Sequence, residues 1–262
     1  TKTAPDMSTN KGTSEALAIQ ITKAAELAWL GDQMKSGNTA NGKTYGGKYW
    51  KLTADIDLGG NSDFTGNDWA SIIGNDTKAF CGYFNGDGHT VSNIQVASVT
   101  SAKYYGLFPS IQGASTTNVS TVKNLKINGV YFKATASIGK TTRIGALAGY
   151  AKQAKVSGIA ISNVKFLYTG GITDENDLGG AIGCAEATVS IESVSVSTVK
   201  ADFTGSTTNL YVAGLVGRIN SLTTVSNCST SDVTITYNTI ANASRISGLI
   251  GYTKGAVGAP IK

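Results

Sequence analysis

Hydrophobic positions along this chain follow two alternating phrases, not a helical stripe. The first, x-Gly-Φ-Φ-Gly with one degenerate position, ends at Gly74 ("SIIG"), Pro109 ("YGLFP"), Gly149 ("GALAG"), Gly183 ("GGAIG"), Gly217 ("AGLVG") and Gly251 ("SGLIG"), in steps of 35, 40, 34, 34 and 34 residues. The second, V-x-x-Φ-x-Φ-x-x-V, follows as "VSNIQVASV" (91–99), "VKNLKINGV" (122–130), "VSGIAISNV" (156–164), "IESVSVSTV" (191–199) and "VSNCSTSDV" (225–233). Two phrases sharing one period mark a repeat architecture.

A period of 34 also suits helical hairpins, but the residues reject that reading. Ile94/Val96, Leu125/Ile127, Ile159/Ile161 and Val194/Val196 alternate with polar neighbours, which is strand periodicity. Val, Ile, Thr and Ser dominate the phrases, and glycines that would each cost a helix about 1 kcal/mol recur in nearly every unit. A single alternating strand cannot bury its apolar face, whereas stacked copies can. The expected fold is therefore all-β: a right-handed parallel β-helix, or β-solenoid, with coils of about 34 residues and rungs about 4.8 Å apart. In the expected register Ile94 lies on Leu125, Ile159, Val194 and Cys228, and Leu147, Leu215 and Leu249 point inward.

Residues 1–60 lack the repeat and read as an N-terminal cap. Ile19 and Ile21 form a short strand. One α-helix follows, with Thr22 as N-cap, an apolar stripe through Leu27, Leu30 and Met34, and Gly37 as its stop. "KYWKLTADIDL" (48–58) then alternates as a strand. Residues 61–262 read as one continuous β-helix domain. The phrase at 247–251 opens a coil that the remaining residues do not complete, so a piece of a longer protein is expected, with some other cover over this end as the alternative.

Composition narrows the function. No run of about 18 apolar residues is present, so no membrane-spanning helix is expected. Cys81, Cys184 and Cys228 are odd in number and lack metal-ligand spacing, and His89 is the only histidine. The cysteines read as small apolar side chains, with a disulfide or a metal site as the alternative, and neither a metal nor a cofactor is expected. Asp55 and Asp57 share one face of a strand, where they could hold calcium or act as an acid/base pair, or simply bond to loop amides. "FNGDGHT" (84–90) reads as a turn without a phosphate cradle. "TDENDLGG" (173–180) reads as a solvated acidic loop, with a weak calcium site as the alternative.

Charge gives the sharpest functional signal. From His89 to Thr173 there is no Asp or Glu, while Lys103, Lys123, Lys126, Lys133, Lys140, Arg143, Lys152, Lys155 and Lys165 all fall there. That stretch carries about +9 and the remainder about −4. Polysaccharide-degrading β-helix enzymes need carboxylates gathered on one face, so the gap argues against catalysis and no catalytic residue is expected. The candidate ligand-binding residues are Lys123, Lys126, Lys133, Arg143, Lys152, Lys155, Lys165 and Tyr150, forming a basic face for an anionic glycan or an acidic surface protein. The alternative is a surface that keeps the chain soluble and blocks lateral sheet pairing. No nucleic-acid motif is present. Tyr104, Tyr105, Tyr131, Tyr150, Tyr168, Tyr211 and Tyr252 could stack on sugars, with Tyr150 and Tyr252 sharing one column.

"ITKAAELAWL", "YWKLTADIDLGG", "WASIIG", "FCGYFNGDGHTVSNI" and "YGLFP", in that order, resemble secreted bacterial proteins with GLUG repeats. The resemblance spans about residues 19–252, with departures at Pro109 and Ala148. It implies an extracellular, cell-surface β-helix that serves as stalk, adhesin or binding surface, and it supplies no catalytic residues. The expected protein is thus a non-enzymatic surface module, monomeric or stacked end to end. A polysaccharide lyase or hydrolase and a pure spacer stand as the rivals.

Overall fold

The structure is a computed structural model that describes residues 1–40, 42–139, 141–240 and 244–254. It is an all-β parallel solenoid of about 7 coils at about 34-residue spacing. One 13-stranded sheet runs from the front layers to Ile250–Thr253, and one 5-stranded sheet accompanies it from Tyr104–Tyr105 onward, beside a 2-stranded hairpin. Every described ladder is parallel except that hairpin, Thr39–Ala40 against Lys43–Thr44. The long strands Ser120–Ala134, Ala148–Tyr168 and Ile182–Thr207 lie directly over one another.

Their register explains the core. Leu125 pairs with Ile159 and Ile159 with Val194; Ile127 pairs with Ile161 and Ile161 with Val196. Each of these side chains is almost wholly buried. Covering an aliphatic side chain contributes about 1.5–3 kcal/mol, so identical positions repeated rung after rung accumulate stability along the axis. Phe132 and Phe166 stack at 5.5 Å, and Tyr168 meets Phe203 at 5.4 Å. Leu147 and Leu215 are fully buried as expected, while Leu249 is partly buried against the core.

The expected register fails at Ile94. It pairs with Val130, and Val91 pairs with Ile127, so Ile94 is not beneath Leu125. The reason lies in the phrase itself. Asn124 and Gly129, Gly158 and Asn163, Ser193 and Thr198, and Asn227 and Asp232 all take positive φ. Each phrase is therefore two copies of Φ-x-αL-Φ, with corners five residues apart at which the chain bends around the core. "VSNI" (91–94) fits either half, and the turn through Asp87 (φ 52) and Gly88 (φ 80) shifts it into the second.

The front layers join the same ladder. Ile19–Ile21 pairs with Tyr49–Leu52, which pairs with Tyr83–Asn85. The helix Ala24–Lys35 packs Leu27, Leu30 and Met34 into the core. Its N-cap is Lys23, not Thr22. Thr22 instead donates both its backbone N–H (2.7 Å) and its hydroxyl (2.9 Å) to the Glu26 carboxylate. Gly37, at φ 68, follows the C-cap Ser36 as the expected stop.

Candidate functional site: a seam of paired columns

The Gly-Φ-Φ-Gly phrase builds the bend at which each coil passes from the small sheet into the large one. Strands Tyr104–Tyr105, Thr142–Gly145, Asn176–Gly179, Leu210–Ala213 and Arg245–Ser247 form the 5-stranded sheet. After each of them the chain turns through the phrase and enters the large sheet. The second glycine permits the turn by letting backbone touch backbone. A Cβ on Gly149 would lie 2.6 Å from the Arg143 carbonyl oxygen and 2.7 Å from the Tyr105 nitrogen. One on Gly183 would lie 2.5 Å from the Ile144 nitrogen.

This close approach brings two outer columns together. The ladder of the small sheet stacks Tyr104, Arg143, Asp177, Tyr211 and Arg245. The ladder of the large sheet stacks Ser110, Tyr150, Cys184, Arg218 and Tyr252 beside it. The expectation that Tyr150 and Tyr252 share a column holds.

The seam interlocks charge with aromatic faces. The Arg143 guanidinium lies 5.2 Å from the Tyr104 ring and 4.7 Å from the Tyr150 ring, and those rings stack at 5.3 Å. Arg143 Nη1 donates to the Tyr104 hydroxyl at 3.2 Å. The Arg218 guanidinium lies 5.7 Å from the Tyr211 ring, which stacks on Tyr252 at 4.8 Å. Between the arginines the Asp177 carboxylate is wholly buried, with Oδ2 2.9 Å from Arg218 Nη2 and 3.4 Å from Arg143 Nε. Arg218 also pairs with Glu175.

Burial pushes the Asp177 carboxyl up, to about 7, with the Arg143 charge pulling against it. Burial likewise lowers Arg218, to about 10, assisted by repulsion from Arg143. Cys184 is buried, and burial followed by the Asp177 charge pushes its thiol up, which disfavours the reactive thiolate. Neither Asp177 oxygen nor the Nε of Arg143 or Arg218 makes a hydrogen bond of good geometry, so ion pairing holds the carboxylate, while stacking and the Arg143–Tyr104 hydrogen bond hold the rings.

The expected solvated loop at 173–180 is thus corrected: Asn176 and Asp177 are both fully buried, because the strand they form sits between two other rungs. Among the described residues, no three His, Cys, Asp or Glu side chains are gathered to hold a metal ion.

The other candidate residues scatter. Lys123 pairs with Glu15 at 3.0 Å and lies over the Tyr83 ring. Lys133 and Lys165 come together over Phe64, at 5.3 and 5.5 Å, and Lys165 donates to the Ser62 carbonyl. Lys152 is in register with Glu186. Lys126 and Lys155 are exposed at separate ladder positions, and Lys140 lies outside the described residues. Of the candidates, Arg143 and Tyr150 alone enter the seam. Tyr168 is fully buried and offers no stacking face; Tyr105 is buried too.

Asp55 accepts from the Thr90 backbone N–H at 2.8 Å and sits 3.2 Å from His89 Nδ1. Asp57 accepts from the Gly59 N–H and the Asn93 amide. Both acids thus do the work of bonding to loops. Cys228 packs partly buried against the core, whereas Cys81 is exposed, contrary to the apolar reading of that residue.

Sequence reasoning missed Asp177, Arg218 and Arg245, although their spacing is visible. Arg143, Asp177, Tyr211 and Arg245 stand two residues before the first small residue of successive phrases. Tyr150, Cys184, Arg218 and Tyr252 directly follow the last glycine.

No protein-family model matches the chain. A segment of halomucin from Haloquadratum walsbyi is 30% identical over 183 residues, which cover 68% of this chain and 2% of halomucin. A solved Bacteroides ovatus structure, provisionally described as an immunoglobulin A1 protease, is similar at 15% identity with a TM-score of 0.38, covering 90% of this chain and 85% of that one.

Proposed function

We propose that this chain is a non-enzymatic rod of an extracellular surface protein, an adhesin or stalk that holds anionic glycans. One observation carries the reading: guanidinium groups and tyrosine faces converge in a single continuous seam along the rod. Guanidinium groups bind carboxylates and sulfates through paired hydrogen bonds, and tyrosine faces pack against sugar rings. The parallel ladders supply a stiff support of the kind a stalk requires. Likeness to a short segment of halomucin accords with a repeated module of a much larger protein.

The test is retention of the wild-type chain on immobilised heparin at increasing salt, together with a glycan array of sulfated and uronic polymers. Retention that falls as salt rises supports the proposal, because exposed charges are screened within about 8–10 Å at physiological ionic strength. No retention at low salt with a blank array overturns it in favour of a spacer. Shortening of the applied polysaccharide would establish the enzyme rival instead.

A further inference from the structure

The seam carries the same three residue types at the same register positions twice, although Arg143 lies over both tyrosines of the first set while the guanidinium beside Tyr211 in the second is that of Arg218. Tyr104 lies one rung before Arg143 in the small-sheet column, and Tyr150 stands across the bend on the Arg143 coil. Tyr211 lies one rung before Arg245 in that column, and Tyr252 stands across the bend on the Arg245 coil. Both tyrosine pairs are stacked, at 5.3 Å and 29° in the first and 4.8 Å and 14° in the second. The register runs Tyr104, Arg143, Asp177, Tyr211, so the second arrangement is the first translated by three rungs. At about 4.8 Å per rung that displacement is about 14 Å along the axis.

We infer that these are two subsites for one linear polyanionic glycan, sulfated or uronic, lying parallel to the solenoid axis. This rests on the anionic-glycan reading above and adds to it a location, a direction and a spacing. In the second subsite Tyr211 and Tyr252 are half-buried and Arg245 is exposed; in the first Tyr104 is half-buried and reaches the surface, while Arg143 keeps only the edge of its side chain exposed and Tyr150 is buried behind it. Three acids lie at the seam: Glu175 is paired with Arg218, and Glu186, whose charge is felt at Tyr150, accepts from the Asn220 amide. Asp177 lies wholly beneath the surface with an arginine on either side. Beyond Tyr104 the line continues into a cleft lined by Lys35, Lys103 and Tyr105, whose lining acid, Asp76, is paired with Lys103 at 3.4 Å. Two linked subsites make the second contact intramolecular, so a chain that spans both gains about 10²–10⁴ in affinity over one that fills a single subsite.

Heparin fragments of graded length distinguish the outcomes by titration calorimetry. For the wild type, affinity is expected to jump once fragments become long enough to bridge the two subsites. Tyr211→Ser combined with Arg245→Gln should remove the jump, lowering long-fragment affinity at least tenfold while disaccharide affinity changes by less than about threefold. Arg245→Gln alone, at an exposed position, gives the same direction with little risk to folding, which a thermal melt confirms. Lys126→Gln with Lys155→Gln should keep the jump. If long fragments bind both second-subsite variants as tightly as wild type, the glycan sits elsewhere: the two-subsite inference falls and the glycan reading stands. If the wild type binds no fragment of any length, both fall.

Discussion

Each coil bends in two ways, and the two bends have opposite consequences. At the Φ-x-αL-Φ corners, Asn124, Gly158, Ser193 and Asn227 turn the chain one residue at a time, and the neighbouring Lys126 projects into solvent. At the Gly-Φ-Φ-Gly bend, two glycines bring strand against strand, and the flanking Arg143, Asp177, Tyr150 and Arg218 bury one another. Charge at the first corner stays hydrated and independent. At the second it becomes part of a packed network. Local charge density in the sequence is therefore a poor guide to where electrostatics matter, whereas position relative to the bend is a good one.

The largest expected contrast follows from removing a charge at each kind of corner. Asp177→Ala leaves the buried Arg218 and the largely covered Arg143 without their shared partner and should cost about 3–5 kcal/mol in urea denaturation at pH 8. A loss below 1 kcal/mol would show that the seam is hydrated. Next come the glycines. Gly149→Ala forces a Cβ into backbone and should cost about 1–3 kcal/mol or more, as overpacking does. Gly158→Ala at φ 63, with only the Asn124 side chain 3.0 Å away, should cost nearer 1 kcal/mol. Equal costs would erase the distinction between the bends.

A smaller effect is carried by pH. Because burial raises Asp177 to about 7, the folded chain keeps that proton where the unfolded chain, near about 4, has released it. The associated stability is complete below about pH 4 and is lost as pH rises through about 7. Asp177→Asn should flatten this part of a chemical-denaturation pH profile, and an unchanged slope would refute the assignment. Smallest of all, Lys126→Gln should shift stability by no more than about 0.5 kcal/mol at any pH.

Most of the solenoid was legible because its core positions repeat with one spacing: Leu125, Ile159 and Val194 were placed correctly, as was the shared column of Tyr150 and Tyr252. Ile94 was misplaced because both halves of the phrase share one pattern, and only the turn at Asp87–Gly88 decides between them. The candidate site was legible only in part. Arg143 and Tyr150 drew attention through local charge and the glycine phrase, but Asp177 was hidden in a run that looks like solvated loop, "TDENDLGG". Its burial depends on Arg143 and Arg218, each 34 or more residues away in sequence, and no local pattern contains that information. The lysines form no comparable seam: Lys133 and Lys165 meet over Phe64, Lys123 pairs with Glu15, and Lys126 and Lys155 stand exposed at separate ladder positions.

The central claim is that residues one coil apart act on each other directly along the seam. A double-mutant cycle on Arg143→Met and Asp177→Leu, read by equilibrium unfolding, measures this contact. The account predicts a coupling above about 1 kcal/mol, with the double variant more stable than Asp177→Leu alone. Additivity within about 0.3–0.5 kcal/mol would contradict it.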